Sequence, residues 1–408
     1  MTPLDTTWVR AQFPAFAQPS LAGQAFFENA GGSFPCQPVI DRLFRFYQER
    51  KVQPYGAYAA SRLGGEEMDE ARSRLAAMLG VETDELSFGP STTQNAYVLA
   101  QAFRQSMTQG EAIVVTNQDH EANSGPWRRL AEDGVELREW RVDPETGHLD
   151  PAALAPLLAD GKVRLVAFPH CSNVVGEVND VAAICAQVRA AGAATCVDGV
   201  SYAPHGFVDV GALGADIYLF SAYKTYGPHQ GIMVIRRALG AALPNQAHHF
   251  NGDVLYKRFT PAGPDHAQVA ACAGIADYME ALSAHHGGPK AAAAAARHAH
   301  GLMRAQEKTL LQPLLDYLGS KNSARLIGPG QAERRAPTVA VALDRPGAAA
   351  AADLARHGIM SGGGDFYAGR ALDAVGVDPD LGVLRLSFTH YTAPEEVEAL
   401  IAALDKVI

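Results

Sequence analysis

Lys224 stands out among the residues that could do chemistry, because it closely follows an apolar run. That run, residues 216–220, reads Asp-Ile-Tyr-Leu-Phe and is typical of a buried strand. Lysine is rarely buried, and burial lowers its pKa by disfavouring the charged form. A partly desolvated amine is what Schiff-base chemistry needs. The alternative is a solvated loop lysine whose stem packs on the strand end.

An earlier strand-like run leads into a segment rich in hydroxyl groups. Residues 86–88 are followed by residues 89–95, which read Gly-Pro-Ser-Thr-Thr-Gln-Asn and open a helix. Free backbone amides at a helix N-terminus, together with the hydroxyls of Thr92 and Thr93, make an anion site suited to a phosphate. The alternative is an ordinary Ser/Thr N-cap without a ligand.

Three more polar side chains, those of His120, Asn173 and Asp198, also follow apolar runs. His120 could stack on a planar ring or simply complete a loop, and Asn173 could donate a hydrogen bond. A carboxylate such as Asp198 at the end of a buried strand is costly to bury unless it is paired. A protonated pyridine nitrogen would be a suitable partner for it.

Each of these signals is weak alone, but they agree with one another. A phosphate cradle, a ring-stacking histidine, an acid and a lysine at successive strand ends form a consistent site for pyridoxal 5'-phosphate (PLP). Asp198 would keep the pyridinium protonated, so that the ring acts as an electron sink. The sequence therefore predicts a PLP site in which Lys224 is the Schiff-base lysine.

The elements that must position these residues alternate between short apolar strands and helices. From residue 85 to residue 235 the pattern predicts an α/β fold with a mainly parallel, seven-stranded sheet covered on both faces. Ligands of such sheets lie just beyond the carboxyl ends of the strands. We assign residues 21–284 to this large domain, and residues 1–20 and 285–408 to a smaller α+β domain.

Composition narrows the choice of partners and location. The chain has 408 residues and a net charge of -10, which does not favour non-specific nucleic-acid binding. We expect no membrane partner and a cytoplasmic protein, because residues 1–10 do not resemble a signal peptide and no apolar stretch is long enough to span a bilayer. The five cysteines are scattered without CxxC spacing, which argues against a zinc site or a disulfide framework.

The sequence resembles the fold type I PLP enzymes, specifically the class V aminotransferases of the cysteine desulfurase group. The resemblance runs from about Phe26 to the C-terminus. It is densest at residues 119–123 (Asp-His-Glu-Ala-Asn), 170–176 (His-Cys-Ser-Asn-Val-Val-Gly), 197–199 (Val-Asp-Gly) and 221–228 (Ser-Ala-Tyr-Lys-Thr-Tyr-Gly-Pro). Motifs in this order and spacing are specific for the family.

On the cofactor side, the resemblance implies a role for each matching residue. Lys224 forms the Schiff base, Asp198 faces the pyridine nitrogen, and His120 stacks on the ring and helps proton transfer. The hydroxyls that match phosphate-binding residues are those of Thr92, Thr93 and Ser221.

On the substrate side, the resemblance implies an amino acid as the ligand. Arg385 matches the arginine that grips the substrate carboxylate, a role that suits its bidentate fork. Its alternative is an arginine on a surface strand. Asn173 matches an asparagine near the substrate and the ring hydroxyl, and Asn29, in the turn at residues 28–33, is a further candidate. The family also implies a homodimer with active sites near the interface.

The chain departs from the desulfurases at residues that matter for sulfur chemistry. No cysteine follows Cys272, and residues 361–370 stand where desulfurases carry a loop with a nucleophilic cysteine. Ser201 replaces a ring-contacting glutamine, and Tyr223 replaces a histidine whose phosphate contact its hydroxyl could take over, unless the ring simply packs. Both stay candidates for cofactor binding. The partner-subunit Gly-Thr-Pro motif is weakened to Ala-Gly-Pro at residues 262–264.

These departures favour a C–S lyase or another elimination reaction through the Schiff base at Lys224, because elimination needs no protein cysteine, whereas a persulfide step needs a thiolate. A racemase or epimerase of the same fold is an alternative and would need a second acid/base, for which His120 or Tyr223 could serve. An aminotransferase is another. A non-catalytic regulatory protein that keeps PLP is the alternative from a different class.

Overall fold

The computed structural model describes residues 3–408. The helices are α1 (Thr6–Ala11), α2 (Gln37–Glu49), α3 (Ala59–Leu79), α4 (Thr92–Ser106), α5 (Gly125–Arg128), α6 (Ala155–Leu158), α7 (Val181–Ala190), α8 (Val210–Leu213), α9 (Arg237–Ala242), α10 (His266–Ala271), α11 (Ala273–His285), α12 (Ala292–Gly319), α13 (Gly347–Ala355), α14 (Gly369–Ala374) and α15 (Pro394–Val407). The strands are β1 (Ala25–Phe26), β2 (Leu86–Gly89), β3 (Ala112–Thr116), β4 (Glu136–Trp140), β5 (Val163–Pro169), β6 (Ala194–Asp198), β7 (Ile217–Ser221), β8 (Gly231–Ile235), β9 (Arg325–Leu326), β10 (Thr338–Ala342), β11 (Ile359–Met360), β12 (Gly362–Gly364) and β13 (Val383–Ser387).

A seven-stranded sheet in the order β2-β8-β7-β6-β5-β3-β4 forms the centre of the molecule. Strands β3 to β7 pair in parallel, and β8 runs antiparallel to both of its neighbours, β2 and β7. The predicted α/β class and the mainly parallel sheet are confirmed. Because the parallel strands share one direction, their carboxyl ends meet at one edge, where β6 ends at Asp198 and β7 at Ser221.

Hydrophobic cores cover both faces of this sheet. Alternate residues of a strand point to opposite faces, so Val114 of β3 joins one buried cluster while Ile113 and Val115 join another. The same division occurs in β5, where Phe168 lies in the first cluster and Leu165 in the second. Burial on both faces explains why the strands read as continuous apolar runs.

A second group of strands follows in the C-terminal part of the chain. Strands β12, β13, β10 and β9 form an antiparallel sheet in that order, and β1 pairs in parallel with β11. The pairing connects residues 25–26, which the predicted boundary assigns to the large domain, with the C-terminal strands. Helix α12 packs against α3 and α11 and also against α15. The domain boundaries themselves stay a prediction.

Two helical segments are locally irregular. Helix α3 begins at Ala59 and passes through Gly64 and Gly65, although glycine weakens helix propensity. A Cβ at Gly65 would lie 2.6 Å from the ring of Tyr55, so the glycine permits that contact. Helices α10 and α11 follow each other directly and are divided at Cys272.

None of the helices found among residues 3–408 is long and apolar enough to cross a lipid bilayer.

Candidate active site

Lys224 lies in a single turn of 3-10 helix that directly follows β7. Its side chain is only 8% exposed, and the Ser33 hydroxyl donates a hydrogen bond of 2.6 Å to its carbonyl oxygen. Burial, followed by the positive charge of Arg385, lowers the pKa of the Lys224 amine to about 8, although Asp198 and Glu28 act in the opposite direction. Near neutral pH, a useful share of this amine is therefore unprotonated and nucleophilic.

A cavity of about 160 Å³ opens beside this lysine at the carboxyl edge of the sheet. It brings together eight of the predicted site residues. The residues that line it are Ser91, Thr92, Thr93, His120, Ala122, Asp198, Val200, Ser201, Ser221, Tyr223, Lys224 and His229.

The hydroxyl groups collect at the N-terminus of α4. Ser91 is the N-cap, and its side chain accepts a hydrogen bond from the Gln94 amide. The hydroxyls of Thr92 and Ser221 lie 2.8 Å apart and hydrogen-bond to each other, whereas Thr93 is exposed to the cavity. Since Ser91 supplies the cap through the Gln94 amide, the Thr93 hydroxyl and the amides of Thr92 and Thr93 remain for an anion.

Asp198 is buried at the end of β6 without a cationic partner. One carboxylate oxygen accepts a hydrogen bond of 2.8 Å from the Val200 amide, and no Lys, Arg or His of residues 3–408 lies within 4 Å as an ion-pair partner. Burial raises the pKa of this carboxyl to about 6, with the Val200 bond and the charge of Lys224 opposing that rise. A buried acid of this kind is stabilised by a cation that enters the cavity.

His120 is neutral at physiological pH. Burial, together with the charges of Lys224 and Arg385, lowers its pKa to about 3. Its Nδ1 accepts a hydrogen bond of 3.0 Å from the Ala122 amide, which assigns the remaining proton to Nε2. A neutral imidazole in this orientation can lie against a planar ring.

Tyr223 and His229 form a stacked pair at the cavity wall, with ring centroids 4.9 Å apart and planes 7° from parallel. Burial raises the pKa of the Tyr223 hydroxyl, so it stays protonated and can donate a hydrogen bond. Ser201 lines the same cavity from the loop that follows β6.

Arg385 lies outside this cavity wall, in the middle of β13. It is 3% exposed, and its Nη2 donates a hydrogen bond of 2.7 Å to Glu28 Oε1. Its guanidinium lies 3.7 Å from the centre of the Phe366 ring, and Nη1 reaches the Asn173 carbonyl at 3.4 Å. The predicted alternative of a surface arginine does not fit this burial. The positive charge of Arg385 contributes to the lowered pKa values of Lys224 and His120.

The two asparagines differ in how their polar atoms are used. Asn173 donates from Nδ2 to the Phe366 carbonyl at 3.0 Å, but its buried Oδ1 has no partner among the described residues. Asn29 donates to the Ser387 carbonyl and accepts from the Tyr391 hydroxyl. Because both ends of Asn29 are occupied within the protein, the structure does not favour its predicted substrate role.

Several residues at the site carry no role in the sequence-based prediction. Glu28, Phe366 and His229 contact or line the site through segments far apart in the chain. The sequence signal for His229 is its position directly after Gly227-Pro228, five residues beyond Lys224. The pairing of Glu28 with Arg385 joins residues 357 positions apart and has no signature in a single sequence.

The fold and this site define an enzyme of the class V aminotransferase group. The chain matches the aminotransferase class-V family over residues 25–400 and belongs to that family, whose members are PLP-dependent. It is 34% identical to the aminotransferase-like protein FGM3 of Gibberella zeae, with 98% of each chain covered. It is 31% identical to a cysteine desulfurase of Serratia proteamaculans, and the match covers 98% of this chain and 97% of that one.

Solved structures agree on the fold. The apo cysteine desulfurase of Thermococcus onnurineus NA1 superposes with a TM-score of 0.85 at 22% identity, over 100% of this chain and 99% of that one. The cysteine desulfurase CsdA of Escherichia coli, in an S-sulfonic acid form, gives a TM-score of 0.81 at 23% identity, over 99% and 98% of the two chains. The protein therefore has the predicted fold type I architecture.

The described residues fit the cofactor of this family. The cavity combines a buried amine, a buried carboxylate without a protein cation and hydroxyls at a helix N-terminus. These groups match the aldehyde, the pyridine nitrogen and the phosphate of PLP. Asn173, whose buried Oδ1 has no partner among the described residues, does not line this cavity.

Proposed function

We propose that this protein is a PLP-dependent lyase that breaks the bond between Cβ and sulfur of a cysteine-like amino acid. Cysteine is the substrate named for relatives about 30% identical to this chain. The observation that carries the proposal concerns the thiols, because all five cysteines are buried. Burial raises the pKa of each thiol, to about 11 for Cys185 and about 12 for Cys36 and Cys171. No thiolate is thus available to accept sulfur.

The residues divide the work between holding the cofactor and handling the substrate. Lys224 would hold PLP covalently, Asp198 would keep its ring nitrogen protonated, and the α4 N-terminus would hold its phosphate. Bound there, PLP supplies the electron sink that makes the α-proton of an amino acid acidic. Arg385 would bind the substrate carboxylate and so orient the Cα–H bond toward Lys224.

Lys224 would then perform the proton transfers. Freed when the substrate's own amine takes its place on the cofactor, the Lys224 amine, with a pKa of about 8, would accept the α-proton, and the Cβ–S bond would break with its electron pair leaving on sulfur. The carbon fragment leaves as an enamine, which water hydrolyses to pyruvate and ammonia. The sulfur leaves as sulfide or a thiol, so no protein cysteine and no external oxidant or reductant is required.

The titration of the remaining groups supports lysis over racemisation. A racemase needs a second acid/base group on the opposite face of the ring, and the predicted candidates are His120 and Tyr223. His120 has a pKa of about 3 and Tyr223 has a raised pKa, so neither is matched to accept a carbon acid's proton near pH 7. Transamination and non-catalytic PLP binding stay alternatives that the experiment below distinguishes.

A homodimer in the cytoplasm belongs to the same proposal. Thr260 and residues 262–264, which stand at the weakened partner-subunit motif, line a second cavity of about 260 Å³, separate from the one beside Lys224. Exposed aromatic residues, among them Tyr55 and Phe250, lie at the same surface. These features support a second copy of the chain at this face.

The test compares wild type with Lys224→Ala and with Lys162→Ala, an exposed lysine, as the matched control. Purified wild type and the control should show the visible absorption of lysine-bound PLP, and Lys224→Ala should not. With L-cysteine, wild type should release equal amounts of sulfide, pyruvate and ammonia, and Lys224→Ala should lose at least about 1,000-fold in rate.

The product pattern decides among the reactions. If the products are alanine and sulfide, and sulfide release depends on an added thiol, the reaction is desulfuration rather than lysis. A change of chirality without sulfide, scored on a panel of L- and D-amino acids, would favour racemisation. Keto acid without free ammonia would favour transamination. Spectral binding of amino acids with no product of any kind would leave the regulatory alternative.

A further inference from the structure

Glu28 occupies the position on Arg385 where a ligand anion would bind. Its Oε1 accepts the 2.7 Å hydrogen bond from Arg385 Nη2, and its side chain is 26% exposed against 3% for the arginine. Glu28 is an additional residue near Lys224, where its negative charge acts on the amine opposite to that of Arg385. The positive charge of Arg385, which should attract a substrate carboxylate, is thus already balanced by the negative charge of Glu28.

Two glycines make the space in which this carboxylate lies. A Cβ at Gly362 would lie 2.6 Å from Glu28 Oε2, and a Cβ at Gly31 would lie 2.8 Å from Oε1. Gly362 is also the ladder partner of Arg385 between β12 and β13. A side chain at residue 362 would therefore project beside the arginine and exclude Glu28.

The pair is incompletely satisfied on both sides. Glu28 Oε2 and Arg385 Nε are buried, and neither has a hydrogen-bond partner among the described residues. A bidentate pair would use both carboxylate oxygens and two guanidinium nitrogens, and it would be stronger than this single bond. Because Glu28 holds Arg385 by one bond, and Nη1 reaches only the Asn173 carbonyl besides, a carboxylate that pairs with two guanidinium nitrogens can replace Glu28.

We propose that Glu28 is a specificity-determining residue that competes with ligand carboxylates for Arg385. This inference rests on the proposed function, since it takes Arg385 as the carboxylate-binding residue. A carboxylic acid that has only its carboxylate to offer must displace Glu28 and so binds weakly. An amino acid also bonds covalently to the cofactor through its amine, and the free energy of that bond offsets the displacement of Glu28. The arrangement favours amino acids over keto acids and promotes release of a keto acid product.

The test measures binding of propionate, a carboxylate without an amine, to the PLP-loaded protein. Binding is followed by the change in visible absorption and, independently, by the rise in melting temperature. Glu28→Gln keeps the shape of the side chain but removes its charge, so we expect propionate to bind roughly tenfold more tightly, as the loss of one competing charged hydrogen bond implies. Gly362→Ala, which excludes Glu28 from its position, should act in the same direction.

Glu121→Gln is the matched control, because Glu121 pairs with Arg370 at the surface and should leave propionate binding unchanged. Unchanged or weaker binding in both Glu28→Gln and Gly362→Ala would overturn the inference. The double variant Glu28→Gln/Arg385→Ala separates it from the proposed function. If the double variant binds propionate as tightly as Glu28→Gln, Arg385 is not the carboxylate site and the proposed function fails in that part.

Discussion

At the scale of single residues, Asp198 shows a conflict between stability and cofactor binding. Its carboxyl is buried without a cation, so its pKa of about 6 lies above its ordinary value of 3.8. In the cofactor-free protein, ionisation of this group opposes folding. With a protonated pyridine nitrogen beside it, the same charge becomes favourable. The charge of Asp198 therefore stabilises the PLP-loaded enzyme and destabilises the cofactor-free protein.

Asp198→Asn should therefore stabilise the cofactor-free protein. Because the folded pKa exceeds the unfolded one, the penalty is absent below pH 3.8, grows between pH 3.8 and 6, and is complete above pH 6. A shift of about two pKa units corresponds to a gain of about 3 kcal/mol at pH 7.5. Urea unfolding of the cofactor-free protein at pH 7.5 and pH 4.5 measures the gain, which should shrink at the lower pH.

The exposed Asp344 provides the control, since Asp344→Asn should change the free energy of unfolding by less than about 0.5 kcal/mol at either pH. The PLP-loaded Asp198→Asn protein should at the same time lose cofactor affinity. A variant that is less stable than wild type at pH 7.5 without cofactor would contradict the prediction.

The sequence predicts site residues well where one physical rule applies to them. Asp198 and Lys224 follow buried parallel strands, and such strands bring their carboxyl ends to one edge, so their proximity follows from the pattern. Glu28 and Phe366 reach Arg385 from distant segments, and only the three-dimensional packing of β1, β12 and β13 brings them there. The turn at residues 28–33 makes Asn29 a candidate, but its hydrogen bonds to Ser387 and Tyr391 depend on the same packing.

At the scale of elements, helix α4 divides two tasks between neighbouring hydroxyls. Ser91 caps the helix, and Thr93 faces the cavity. Ser91→Ala should therefore lower the stability of the cofactor-free protein by about 1 kcal/mol, the usual value of an N-cap. Thr93→Ala should leave that stability within about 0.5 kcal/mol of wild type and weaken PLP binding roughly tenfold.

Urea unfolding without cofactor and equilibrium titration with PLP measure the two effects separately. Each variant serves as the control for the other, because both remove one hydroxyl from the same helical turn. Equal loss of PLP affinity in the two variants would show that the cap itself, rather than Thr93, governs the anion site. Loss of stability in Thr93→Ala would assign it a structural role.

The segment that stands where desulfurases carry their cysteine is held in an unusual backbone conformation. Phe366 and Tyr367 have φ angles of 53° and 54°, in the left-handed region that non-glycine residues rarely adopt. Hydrogen bonds from Asn173 to the Phe366 carbonyl and from the Glu121 amide to the Tyr367 carbonyl hold this turn. Such strain persists only where the surroundings fix it, and here it places the Phe366 ring on Arg385.

At the scale of the whole molecule, several large aromatic side chains are left in solvent by a single copy of the chain. The exposed members are Phe44, Tyr47, Tyr55, Tyr58 and Phe250, with exposures between 52% and 71%. Tyr55 and Phe250 lie at the rim of the cavity that contains residues 262–264. A self-complementary contact around a two-fold axis at this rim would cover Tyr55 and Phe250.

We therefore expect the protein to be a dimer in solution and Phe250→Asp to disrupt it. Phe250 is 71% exposed, so replacing it does not disturb the core of one copy, but an aspartate in the contact would be buried without a partner. The dimer dissociation constant should rise by roughly 30-fold or more, the usual effect of losing an aromatic anchor. Light scattering at decreasing protein concentration measures the change. The control is Leu381→Asp, because Leu381 is 38% exposed and lies near strand β13.

Cofactor retention by the Phe250→Asp monomer tests whether residues 262–264 reach the partner's phosphate site. If they do, the monomer should lose PLP on dilution. A monomer that retains PLP would show that each copy holds its cofactor alone.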